Sequence, residues 1–202
     1  MFNSNISASD LIEDLKSEVD IAIPIPNRSY VTWLNALEGL LYSECIKEQH
    51  ELILKGYHSE VETTDLECEP DADEIRFEDI YTVYADDRQL IKSTLTSGNI
   101  FPDTYYKSGE KIKFNIPNET SEIRIVYFIR PAHKTVDADD DVQNGDIMIP
   151  VEFMDLVKAK LRGEAYKVAN EDALAAKWLN DYNVLLENFK LWLSEKAPEF
   201  GM

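Results

Sequence analysis

Apolar residues recur at helical spacing through the last third of the chain. Behind Pro150, the residues Phe153, Val157, Leu161, Ala165 and Val168 mark one helix. The proline suits its start, where the missing N–H costs nothing. Asn170 then reads as the cap of a second helix. That helix repeats Ala175, Trp178, Tyr182, Leu185, Phe189 and Trp192 in steps of three and four. Two amphipathic helices joined at Ala169-Asn170 predict an antiparallel hairpin with one apolar seam. Gly163, Ala165, Ala173, Ala175 and Ala176 keep the chain thin near the turn, so that the two helices can approach closely.

The beginning of the chain is also helical in pattern. Asp10 and Glu13 read as a capping pair for a short helix bearing Leu11, Ile12, Leu15 and Val19. The prolines at 24 and 26 make residues 21–26 an extended connector. Ser29 then reads as the cap of a longer helix whose broad apolar face holds Tyr30, Trp33, Leu34, Leu37, Leu40, Leu41, Cys45 and Ile46. Glu38, Glu44, Lys47 and Glu48 fill its other side.

Between these helical ends the period changes to that of strands. Residues 52–54, 76–84, 89–95, 105–106, 111–116 and 122–130 are strand candidates, broken by turns at Asp86-Asp87, Gly98-Asn99, Pro102-Asp103 and Ser108-Gly109. Both faces of 122–130 carry apolar groups, which predicts a central strand. An uninterrupted meander favours an antiparallel sheet. The fold expected is α+β: an antiparallel helical bundle from residues 1–48 and 149–202, with an inserted antiparallel β-domain over 49–148.

Charge narrows the function. Thirty-nine acids against 20 bases give a net charge of −19 in 202 residues. Eight of those acids, with no base among them, fall within Glu60 to Glu74, a stretch that reads as a solvated loop. An acidic surface without a basic cluster disfavours nucleic-acid wrapping. Cys45 and Cys68 provide no disulfide scaffold, the polar opening MFNSNISASD carries no signal-peptide pattern, and no apolar run approaches a membrane span. Folding in a cytoplasm is expected.

Catalytic patterns are missing. His50, His58 and His133 stand apart from any nucleophile context, and there is no GxGxxG, P-loop or HExxH. Neither a catalytic residue nor a cofactor is expected. Asp137, Asp139 and Asp141 match the first three ligand positions of a calcium loop in a string running on through Asn144 to Asp146, but Val142 stands where its glycine should be and Met148 where its bidentate Glu should be. The stretch therefore reads as a polar loop without metal. The aromatic stripe from Trp178 to Trp192, with Trp33, reads as core. The tail holding Lys196, Pro198, Phe200 and Met202 is either a docking arm or a frayed terminus.

The run Tyr127-Phe-Ile-Arg130-Pro131, a short acidic loop, Ile149-Pro150-Val-Glu-Phe153, Gly163-Glu-Ala-Tyr-Lys and Ala173 to Leu186 resembles the adaptor proteins of tailed bacteriophages. These are also called connector, neck, tail tubular or head completion proteins. Ser29 to Leu41 looks like the family's second helix. The resemblance covers nearly the whole chain as an order of elements, without a specific motif. It implies a structural virion protein rather than an enzyme, made in the host cytoplasm and placed in the neck. It further implies a ring of about twelve copies beneath the portal protein, with a downstream tail protein below. In such rings the C-terminal arm, here Lys196, Pro198, Phe200 and Met202, grips the portal. DNA would slide through an acidic channel without being held. A tail terminator, stopper or baseplate component is the alternative, and a calcium-dependent carbohydrate binder or small hydrolase using Asp137, Asp139 and Asp141 a more distant one.

Overall fold

The computed structural model describes residues 6–48, 54–60, 67–68, 75–94, 101–109, 111–117, 120, 122–143 and 145–196; for 54–60, 67–68 and 196 the description is of the backbone. The chain is α+β, with four α-helices and a seven-stranded mixed sheet among these residues. It divides into two compact units, Met1–Ile53 with Arg130–Met202, and Leu54–Ile129. The sequence pattern placed the end of the inserted region at residue 148. Residues 130–148 instead make their contacts within the first unit, because their side chains bond to its second helix, as described below.

In the first unit, α1 spans Ala8–Glu18 and buries Ala8, Leu11, Ile12 and Leu15. Its cap is Ser7, whose side chain accepts from Asp10 N–H, and not the expected Asp10. The helix α2, Asn27–Lys47, begins two residues before the expected Ser29, with Pro26 at its N-cap. It buries Tyr30, Val31, Leu34, Leu37, Glu38, Leu41 and Cys45. Pro150 opens a 3-10 turn, Val151–Phe153, and α3 follows over Met154–Val168. Then α4 runs from Asp172 to Lys196. Of the seam read from the sequence, Val157, Leu161, Ala165, Ala175, Tyr182 and Phe189 are buried, whereas Val168 is exposed. Phe153 closes the cluster, with ring centroids 5.0 Å from Phe189 and 5.1 Å from Trp192. The close approach expected near the turn occurs at Gly163, where an added Cβ would lie 2.7 Å from Leu179 Cδ2.

Asn170 caps the helix before it rather than the one after. It has φ +61°; its N–H donates to Lys167 O, and Glu171 N–H reaches back to Tyr166 O. This is a Schellman ending, with asparagine in the left-handed position that glycine usually takes. Ala175 N–H donates to Glu171 O, so α4 starts one residue later. Asn170→Ala should cost about 1–2 kcal/mol, the left-handed penalty of an ordinary residue. Asn170→Gly should leave stability unchanged or higher. Urea unfolding of both variants checks the pair.

In the second unit the strands are β1 Leu54–Glu60, β2 Glu67–Cys68, β3 Ile80–Ala85, β4 Arg88–Lys92, β5 Thr104–Ser108, β6 Lys111–Asn115 and β7 Glu122–Phe128, in the order β1-β7-β3-β4-β5-β6-β2. As its two apolar faces implied, β7 is flanked on both sides, by β1 and β3. The sheet is not wholly antiparallel: β4 and β5 run parallel, pairing Ile91 with Thr104 and Lys92 with Tyr105. Eleven residues of sequence separate the end of β4 from the start of β5, far more than a hairpin turn needs. Cys68, read as part of an acidic loop, lies in β2, opposite Ile112 of β6. The inward face holds Ile80, Val83, Leu90, Tyr105, Ile112, Phe114, Ile123, Ile125 and Tyr127. Two short strands of the first unit, β8 Thr135–Val136 and β9 Val142–Gln143, form a separate hairpin.

Candidate functional site

Three features of the first unit could carry function: a buried polar clasp, the acidic 137–146 loop, and a groove along α3 and α4. The clasp joins α2 to residues 130–148. Glu38 was expected among the polar residues, yet it falls between Leu34 and Leu41 on the inward face and is only 2% exposed. Lys134, 0% exposed, donates from Nζ to Glu38 Oε2 at 2.6 Å, and Met148 N–H donates to Glu38 Oε1 at 2.9 Å. One turn earlier, Asn35 donates from Nδ2 to Lys134 O at 2.8 Å and accepts from Lys134 N–H at 3.0 Å. Both charges are therefore buried, paired and further hydrogen-bonded, as burial requires. A cleft of about 250 Å³ opens beside them, between Asn35, Glu38, Gly39 and Tyr42 on α2 and Arg130 to His133. A second void beneath, bounded in part by Cys45, Met148 and Phe189, measures about 10 Å³, room for about one water.

The calcium-like string has a structural use. Asp137 accepts from Asp139 N–H, Asp141 N–H and Gln143 Nε2 at 2.9–3.0 Å, which folds the loop on itself. Asp140, at φ +66°, reaches across to the start of α2 and accepts from Asn27 N–H at 2.8 Å and Arg28 N–H at 3.3 Å. A carboxylate there satisfies orphan helix donors and complements the helix dipole. This is the side-chain cap that Pro26 cannot provide. Among the described residues no group of three His, Cys, Asp or Glu is placed to hold a metal. Asn144 lies outside the described residues.

The groove runs between α3 and α4 and encloses about 490 Å³. Asp155, Lys158, Ala159 and Arg162 line one wall, and Trp178, Asp181, Val184 and Leu185 the other. Arg162 pairs with Glu18 of α1 and lies 4.6 Å from the Trp178 ring centroid; Lys177 Nζ lies 5.1 Å from the same ring. Lys158 is 4.0 Å from Glu18.

His133 sits exposed on the cleft wall, and His58 lies in β1. His50 is outside the described residues. So are Pro198, Phe200 and Met202 of the proposed arm, while Lys196 is the last residue of α4. No helix among the described residues is long and apolar enough to cross a membrane. Sequence reasoning missed Lys134 altogether, and it misplaced Glu38 although the three-and-four spacing Leu34, Glu38, Leu41, Cys45 was there to see.

Cys45 is buried and reduced. Burial, reinforced by Glu44, pushes its thiol up from an ordinary 9.0 to about 12. The thiolate is the reactive form, so Cys45 should resist N-ethylmaleimide at pH 8 in the folded chain and react once unfolded, as read by peptide mass mapping. A proton held more tightly in the folded state also makes stability fall as pH rises from about 9 towards 12. Denaturation midpoints across that window should drop less in Cys45→Ala.

No protein-family model and no curated protein matches this sequence.

Proposed function

We propose that this chain is a structural virion protein, an adaptor in the head–tail connector of a tailed phage. The observation that carries this reading is the chain order. Helices from both ends of the sequence belong to one compact unit, and the strand-rich residues 54–129 lie between them as another. A helical bundle carrying an inserted β-domain is the architecture that the resemblance implies. Within the first unit α3 packs along α4, α2 contacts α3, and α1 contacts both α2 and α3. Such a chain serves as a ring subunit under the portal protein, with neighbouring copies at its sides and a tail protein below. Its acidic surface lets DNA pass without exchanging counterions for protein cations.

The test is the native mass of the full chain, alone and mixed with portal rings encoded beside it. Addition of about twelve copies per portal ring is the expected result. Removal of residues 198–202 should weaken that complex if the tail is the gripping arm. A chain that ignores portal rings over repeated preparations would sink the adaptor reading.

A further inference from the structure

Residues 132–143 fold largely on themselves. The hairpin of β8 and β9 pairs Thr135 with Gln143 and Val136 with Val142, and Asp137 accepts from three donors within the turn. Lys134 is the only buried residue of this stretch, while Val136 and Val142 are half-buried. The hydrogen bonds that tie it to α2 run from the start of that helix to its middle. Asp140 accepts from Asn27 and Arg28 N–H, and Asn27 donates from Nδ2 to Asp140 O at 2.6 Å. Asn35 bonds both the N–H and the C=O of Lys134, whose Nζ meets Glu38. Beyond the stretch, Ile147 and Ile149 are fully buried and fix its far end.

We infer that residues 132–143 are a strap that lifts from α2 as one body while the four helices stay folded, with Glu38 and Lys134 as its latch. Lifting gives little apolar surface to water, the change that most opposes unfolding. It also frees both charges together. A buried pair that regains water whole loses its mutual attraction but recovers the hydration of both ions, so the two changes largely offset. Truncating one partner is different, because the other charge then stays buried alone. The remaining bonds to α2 exchange for bonds to water at a small net cost each. Segments with few buried apolar groups are those that open below the free energy of global unfolding. The lifted state uncovers Asn35 and Glu38, widens the cleft they line, and takes the carboxylate cap from the start of α2. The strap belongs to the first unit alone and stands whether or not the chain is an adaptor.

Hydrogen exchange on the full chain, read by NMR at rising urea below the unfolding transition, tests this. The reporters are the N–H groups of Lys134 and Asn27, whose acceptors lie across the contact between strap and helix. Corrected for free-peptide rates, both should exchange roughly a hundredfold faster than Leu161 and Ala165 of α3. Asn35→Ala removes the anchor at Lys134 and puts a better helix former on α2, so the fold should survive. It should speed exchange at Asn27 roughly tenfold, although Asn27 lies about two turns away, and leave Leu161 and Ala165 unchanged. Asp140→Gly severs the other anchor and tolerates the φ of +66° found there. It should speed exchange at Lys134 by a similar factor. Reporters that exchange only at the α3 rate would overturn the inference, since the strap would then open only with the whole unit. So would variants that speed exchange at the severed anchor alone, because the two anchors would then open separately.

Discussion

Replacing Lys134 by alanine should destabilise the chain by about 3–5 kcal/mol, and Glu38→Ala should do the same, because each leaves one charge buried without its partner. The residues are 0% and 2% exposed, and the contact between them is 2.6 Å. Glu38 also accepts from Met148 N–H, so Glu38→Ala strands a backbone donor as well. The double variant Glu38→Leu with Lys134→Met should recover most of the loss, since paired buried charges often exchange for apolar groups of similar volume at little net cost. Urea unfolding of the two singles and the double closes the cycle. Additive losses in the double would mean that the two side chains act separately and that their pairing contributes nothing.

Filling the close approach at Gly163 should be the next most damaging change. A methyl group there meets Leu179 Cδ2 at 2.7 Å, Leu179 Cγ at 2.8 Å and Leu179 N at 3.3 Å. The side-chain end can swing away, but the backbone nitrogen cannot move without shifting α4. Overpacking of this kind costs about 1–3 kcal/mol, against the roughly 1 kcal/mol by which alanine is the better helix former. Gly163→Ala should therefore be net destabilising by about 1–2 kcal/mol, and Gly163→Val by more because its branch is stiffer. Adding Leu179→Ala should relieve part of the Gly163→Ala loss, a coupling that two independent sites would not show. If Gly163→Ala proved stabilising, the helices would be separable at this point at no cost.

These two sites differ in how far a reader of the sequence could have foreseen them. Gly163 was legible: glycine in a helix beside a run of alanines, near a predicted helix turn, has close packing as its main explanation. The hairpin, the aromatic cluster of Phe153, Phe189 and Trp192, the central place of β7 and the burial of Cys45 were legible for the same reason. Each follows from a period of apolar residues along a single element, and that period records which side faces inward.

The clasp and the caps were not legible, because they join residues far apart in the chain. Lys134 is 96 residues from Glu38, and Asp140 is 113 from Asn27. A lysine in a polar stretch carries no local sign that a carboxylate will meet it inside. Three aspartates at alternate positions look the same whether they bind calcium, brace a turn or cap a distant helix. The parallel pairing of β4 with β5 escaped for a related reason: local pattern specifies a strand, not which neighbour it joins or in which direction.

The sequence by itself therefore determined the elements, their inward faces and the thin seam of the hairpin, since these depend on side-chain spacing within ten or twenty residues. Only the tertiary structure decided that Glu38 is buried, that Asp137 and Asp140 hold a loop and a helix end, and that Arg162 of α3 meets Glu18 of α1. Those outcomes depend on which groups meet across the fold, and the cost of burying an unpaired charge selects the meetings that survive.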